Sequence, residues 1–296
     1  MSNVVEIDGV NIFENQNGDI IHLDDKNIYN CFELLKTKKI KRISIFTSYI
    51  GKPSYNLDNL DVFSGFDLEI DEIIVTSEVI NDWSGLYTLK GLKKLSANWL
   101  DNIVLDFSKI KKLNSIWIDW NKKQTNLFNL SDLQELQLWK YKPKKFNLDE
   151  LKKLSSLQTL GIFQSNIQSI KGIEDLSSLK NLKLGYDKDL EILFSDFKKP
   201  FNNIEQLHIE VCKKINLDFI KLFPNLKRLK IFNNGKLKSL RPILDGLPKL
   251  EEIFIGETII EESDNEYYKN YPNIKKFFFK EMKHHKLKLN DIGKPY

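Results

Sequence analysis

Six side chains of this 296-residue chain are of the kinds that carry nucleophilic, acid–base or metal chemistry: His22, His208, His284, His285, Cys31 and Cys212. Their spacing assembles none of it. His284 and His285 are adjacent, and neighbours in an extended segment face opposite ways, which argues against a shared metal. There is no H-E-x-x-H, C-x-x-C or G-x-G-x-x-G pattern and no phosphate-binding glycine loop. Two cysteines are too few for a disulfide framework. The expectation is a chain that is not an enzyme and holds no metal and no cofactor.

Residues suited to recognition are better represented. Four of the five tryptophans, Trp99, Trp117, Trp120 and Trp139, lie between residues 99 and 139, and Phe163 and Tyr186 follow them. Exposed tryptophan and tyrosine carry much of the energy of protein interfaces, whereas buried ones merely fill a core. Which role applies depends on the elements that hold them.

Those elements form a repeat. Along Ile167, Ile170, Ile173, Leu176, Leu179, Leu182 and Leu184 the apolar residues come every third position and then every second. A period of three stacks on one side of a 3₁₀-type turn, and a period of two is a strand with one face buried. The strand segment L-x-x-L-x-L (Ile, Val or Phe allowed) begins at Ile40, Ile70, Leu92, Leu113, Leu133, Leu157, Leu179, Ile204, Leu226, Leu250 and Ile274. The first gap is 30 residues and the others run from 20 to 25. A unit of this size buries too little apolar surface to be stable alone, so the coils must stack on one continuous core.

Around that solenoid the chain divides into residues 1–39, 40–282 and 283–296. The first segment predicts a cap: Val4 to Ile12 alternates about Asp8-Gly9 as a hairpin, Asn17-Gly18 marks a turn, and Asp25 to Asn27 caps a helix through Ile28, Phe32 and Leu35. The last segment closes the other end. Residues 1–35 hold seven acids against Lys26, and residues 270–296 hold seven lysines against Glu281 and Asp291.

Alternation points the inward leucines at the core and their neighbours at solvent. The outward columns, four and six residues after each start, contain Trp117, Gln137, His208, Lys230 and Phe254, and Asp119, Trp139, Phe163, Glu210 and Phe232. Trp99, Trp120 and Tyr186 occupy the next position. These thirteen residues are the expected partner-binding surface. Two competing readings stand beside it: the aromatics cover loose coils, or charged residues simply pair across strands, as Glu210 with Lys230 would.

The repeat resembles the leucine-rich-repeat family, in the 22-residue class of bacterial internalins and eukaryotic phosphatase-regulating repeat proteins, over roughly residues 40–282. The resemblance implies an α/β solenoid with short parallel strands on a concave face and 3₁₀ or short helical turns on the convex face. It departs from the family at the ladder position eight after each start, usually asparagine, which here holds Ser48, Glu78, Leu100, Asn121, Tyr141, Ser165, Asp187, Cys212, Asn234, Thr258 and Met282. Cysteine commonly replaces asparagine there, which implies a structural Cys212. The resemblance also implies a non-catalytic scaffold that binds another protein; stand-alone bacterial members look like immunity proteins that neutralise a toxin or effector by covering it. A glycan-binding scaffold is the alternative, and a repeat-carrying enzyme needs a further domain. Net charge is only +4, from 45 basic and 41 acidic residues, so nucleic acid is not an expected partner. No stretch approaches the ~20 apolar residues of a membrane span, and the N-terminus lacks a secretory pattern. A cytoplasmic protein, monomeric when unbound, is expected.

Overall fold

The computed structural model describes the chain apart from residues 1–2, 24–25, 47, 50–51, 54–56, 77–78, 99, 213 and 215–216. It forms two compact units, residues 1–138 and 139–296.

The first unit opens with the expected hairpin. Val4–Ile7 pairs antiparallel with Val10–Phe13, and the two-residue turn has Asp8 and Gly9 at φ of 53° and 76°, the left-handed pair that a hairpin of this length requires. A third strand, Ile20–His22, pairs antiparallel with the second and parallel with Arg42–Phe46. It therefore converts the hairpin into the edge of the repeat sheet. The helix spans Ile28–Thr37 and buries Cys31, Phe32, Leu34 and Leu35. Its expected cap is corrected in part: Asn27 holds the N-cap position but makes no capping bond. Its amide donates to the Gly9 carbonyl at 2.8 Å instead, fastening the hairpin turn to the helix. Asp25 lies outside the described residues.

Strands Arg42–Phe46, Glu72–Thr76, Lys94–Asn98 and Ser115–Asp119 then run parallel and in register, with Ile43, Ile73, Leu95 and Ile116 forming one buried row. The long first interval leaves this pairing intact. Strand Glu135–Trp139 follows, and the division between the units falls at its last residue. In the second unit, strands Thr159–Phe163, Asn181–Gly185, Gln206–Glu210, Arg228–Phe232, Glu252–Gly256 and Lys276–Phe279 repeat the pattern. Leu160, Leu182, Leu207, Leu229, Ile253 and Phe277 make one buried row, and Ile162, Leu184, Ile209, Ile231, Ile255 and Phe279 the other. The period-three stretches are 3₁₀ turns, as at Ile173–Asp175 and Phe107–Lys109, with a short helix at Arg241–Gly246.

One feature of six successive coils has no signature in the periodicity. Lys140, Gln164, Tyr186, Val211, Asn233 and Glu257, seven residues after successive starts, all take a left-handed conformation with φ between 46° and 60°. The turn carries the strand hydrogen bonding one residue further: the N–H groups of Gln164, Tyr186 and Val211 donate to the carbonyls of Gly185, Glu210 and Phe232 at 2.9, 2.8 and 3.0 Å. A non-glycine residue pays roughly 1–2 kcal/mol for this conformation, and a β-branched one is least suited to it.

The ladder position is chemically mixed but continuous through these coils. Ser165 donates from its N–H and its hydroxyl to Asp187 Oδ1 at 2.7 and 2.6 Å. The Asp187 backbone bonds the Cys212 sulfur, the Cys212 N–H donates to Asn234 Oδ1 at 2.6 Å, and the Asn234 N–H donates to Thr258 Oγ1 at 3.1 Å. Any side chain with an acceptor at the right height can therefore serve. Asp187 serves at a cost, because it is fully buried and its Oδ2 has no hydrogen-bond partner. Burial pushes its pKa up to about 6, against the hydrogen bonds from Ser165 that oppose the shift.

Two outcomes are expected. Val211→Asn relieves the left-handed β-branched residue and should stabilise the protein by about 1 kcal/mol in urea unfolding. Asp187 binds its proton more tightly folded than unfolded, so its contribution to stability falls as pH rises from 3.8 through about 6. A shift of about two pH units makes the ionised carboxylate cost about 3 kcal/mol at neutral pH. Asp187→Asn, with the amide oxygen still accepting from Ser165, should raise the urea midpoint at pH 7.5 and leave it nearly unchanged at pH 4; equal gains at both values would contradict this origin.

Candidate functional site

In the second unit, alternation places Phe163, Lys183, His208, Glu210, Lys230, Phe232 and Phe254 on the sheet face away from the leucine rows. What they expose depends on their neighbours. The Trp139 and Phe163 rings stack with centroids 4.6 Å apart at 19°. Phe163 lies flat because its partner on the next strand is Gly185, where a Cβ would come within 2.7 Å of Phe163 Cδ1. Held between an indole and a glycine, Phe163 is only 7% exposed. Its expected role as a contact surface is corrected: it points outward but serves as the base on which half-buried Trp139 rests.

Tyr186 is set at the rim of this stack by its left-handed backbone. It is 40% exposed, lies 6.4 Å from Trp139, and donates its hydroxyl to Glu210 Oε1 at 2.6 Å. That bond to a carboxylate raises the phenol's pKa. His208 Nε2 stands 3.7 Å from the other Glu210 oxygen. Burial is the main cause that lowers the His208 pKa, outweighing Glu210, with Lys230 and Lys183 adding to the fall, so the imidazole is neutral at pH 7. The cross-strand ion pair between Glu210 and Lys230 does not form: Glu210 is taken up by Tyr186 and His208, and Lys230 turns to Phe254, 5.9 Å from its ring centre. Phe232 and Phe254 flank a second notch, Gly256, where a Cβ would lie 2.7 and 2.4 Å from their rings.

In the first unit Trp117 is 44% exposed, opposite Ser96 in the parallel register. Trp120 is half-buried and Trp99 lies outside the described residues. Asp119 and Gln137 are buried, against expectation. Alternation sets the direction of a side chain, but a short or folded-back one stays below the height of large neighbours; the Gln137 amide bends to the Glu135 carboxylate at 3.2 Å. Phe278 and Tyr296 join Phe254 and were not among the expected site residues. Phe278 sits in an outward column and was legible there, whereas no periodic signal marks Tyr296.

Cys31, Cys212, His284 and His285 all engage backbone carbonyls. Burial pushes the Cys212 thiol up to about 12, the direction expected of a buried thiol in apolar surroundings. Cys31 is buried against the His22 carbonyl at 3.5 Å. His284 and His285 both approach the Ile260 carbonyl at 3.0 Å, and the Met282 N–H donates to His285 Nδ1. Among the described residues no group of three or more His, Cys, Asp or Glu side chains is placed to hold a metal ion, and no helix is long and apolar enough to cross a membrane. The basic C-terminal run is largely compensated locally, with Lys275, Lys276, Lys280 and Lys286 paired to Glu251, Glu252, Glu257 and Asp264.

No sequence-family model and no curated protein sequence matches the chain. Solved structures do. An internalin from Listeria monocytogenes superposes with a TM-score of 0.53 at 18% identity, over 89% of this chain and 74% of that one. A chain of the Toll–Spatzle complex of Drosophila gives a TM-score of 0.50 at 13% identity, over 83% of this chain but 37% of that one. The fold is a leucine-rich-repeat solenoid of the internalin kind, as the repeat implied.

The stack provides its own test. Gly185→Ala pushes a methyl into Phe163 and should cost about 1–3 kcal/mol through overpacking, with a change in tryptophan emission as Trp139 loses its base. An unchanged spectrum and unfolding midpoint would mean that the ring moves aside freely.

Proposed function

We propose that the chain is a non-catalytic scaffold that binds another protein on the solvent face of its repeat sheet, with Trp139 and Tyr186 of the second unit as anchors. The observation that carries this reading is the mounting of Trp139. A large ring already stacked on Phe163, which itself lies against Gly185, loses little freedom on binding, and such preorganised aromatics dominate interface energies. Tyr186, fixed through Glu210, adds an amphipathic contact of the same type. Repeat folds of this kind suit protein ligands, as the Toll–Spatzle assembly illustrates for one structural neighbour.

A toxin or effector neutralised by being covered is the partner class we favour, acting in the cytoplasm; a chain with only two cysteines, both buried, suits a reducing compartment. The test is affinity capture from lysate of the source cells with wild-type protein and with Trp139→Ala, followed by titration of the captured protein. Loss of Trp139 should weaken that complex by about 2 kcal/mol or more, roughly thirtyfold, without changing the thermal midpoint by more than a few degrees. A partner bound equally by both proteins removes the proposed site.

A further inference from the structure

The end of the described chain shows what one part of this face accepts. The Phe277 N–H donates to the Lys294 carbonyl at 3.0 Å, and the Lys294 ammonium donates to the Tyr271 carbonyl at 2.6 Å, so the segment before Tyr296 is tied to the last strand. Tyr296 then lays its ring against Phe254, centroids 5.1 Å apart at 59°. Phe254 is itself stacked flat on Phe278, 4.5 Å apart at 10°. The ammonium groups of Lys230 and Lys276 stand 5.5 and 5.9 Å from the Tyr296 ring centre. The ring thus occupies a niche with an aromatic floor and two cationic walls, a combination that attracts an electron-rich ring from both sides.

Two features argue that the niche is a binding position and more than a resting place for a chain end. First, Tyr296 remains 47% exposed, so its contact is shallow and replaceable. Second, the local charge is unbalanced. Arg228 and Lys276 share one carboxylate, Glu252, at 3.2 and 3.4 Å, and Lys230 makes no ion pair among the described residues. With Glu252 and Glu251 engaged by Arg228, Lys276 and Lys275, the Lys230 ammonium keeps a charge that the Tyr296 ring does not neutralise. A carboxylate beside an aromatic would satisfy it.

We propose that the niche formed by Phe254, Phe278, Lys230 and Lys276 is an aromatic-acceptor subsite, which Tyr296 fills in cis and which a tyrosine flanked by acidic residues on a protein partner fills in its place. The inference rests on the reading of this face as protein-binding. Tyr296 acts as a competitor, and the partner's apparent affinity is reduced by the fraction of time the niche is already filled.

The experiment uses the full chain as wild type and Tyr296→Ala, with N-acetylated, C-amidated tripeptides Glu-Tyr-Glu, Glu-Ala-Glu and Lys-Tyr-Lys titrated by NMR. Thermal melts verify that the substitution leaves the fold intact. Tyr296→Ala should bind Glu-Tyr-Glu about tenfold tighter than wild type, as expected for a niche filled about nine-tenths of the time. Glu-Ala-Glu and Lys-Tyr-Lys should bind more weakly than Glu-Tyr-Glu, and Tyr296→Ala combined with Lys230→Ala should lose the preference for glutamate over lysine flanks. Equal affinity of wild type and Tyr296→Ala, equal binding of the alanine peptide, or no binding to Tyr296→Ala overturns the subsite. Trp139 lies outside the niche, so the two ideas fail separately: peptide binding without a Trp139-dependent partner preserves the niche and removes the proposed anchors, and the reverse result does the opposite.

Discussion

In-register stacking brings each side chain within about 4.8 Å of its equivalent on the next strand. That distance suits leucine rows and hydrogen-bond ladders, but it is too short for several large rings to stand side by side. Every outward column must therefore stack its aromatics, interrupt them with glycine, or alternate them with flexible polar chains. The second unit does all three. Trp139 stacks on Phe163, Gly185 takes the space under Phe163, and Lys183, His208 and Lys230 separate this group from the Phe254–Phe278 stack.

The same spacing governs the polar end of each coil. A backbone N–H at the ladder position needs an acceptor from the following coil, whatever its chemistry, because a buried unpaired amide costs more than most imperfect bonds. Aspartate, cysteine, asparagine and threonine all meet that need between Ser165 and Thr258. They differ in what they charge for it: Asn234 also donates to the Ile209 and Phe232 carbonyls, whereas Asp187 leaves a carboxylate oxygen unpaired in the interior. The expected link between stability and pH thus runs through the ladder.

The recognition we propose draws on residues that the stacking leaves half-finished. Trp139 has one face satisfied by Phe163 and an accessible remainder, and Tyr186 is held by its hydroxyl with its ring uncovered. Burial lowers the pKa of His208, beside Lys183 and Lys230, and Lys230 and Lys276 stand near Tyr296 at one end of the face.

The residues themselves determined the architecture. A period of three passing into a period of two admits one local structure, and its recurrence admits one way to bury it, so the leucine rows, the 3₁₀ turns and the Asp8-Gly9 hairpin were all legible in advance. The outward direction of Trp117 and Trp139 followed from the same alternation. Exposure did not, because it depends on the height and position of neighbours that periodicity does not encode. Only the folded chain could show that Phe163 is covered, that Asp119 and Gln137 are buried, and that Glu210 prefers Tyr186 and His208 to Lys230. The left-handed turn at Tyr186 and the return of Tyr296 across Phe254 belong to the same class. Local sequence patterns specify which way a side chain leaves the backbone; what it then meets is settled by residues brought beside it from other coils.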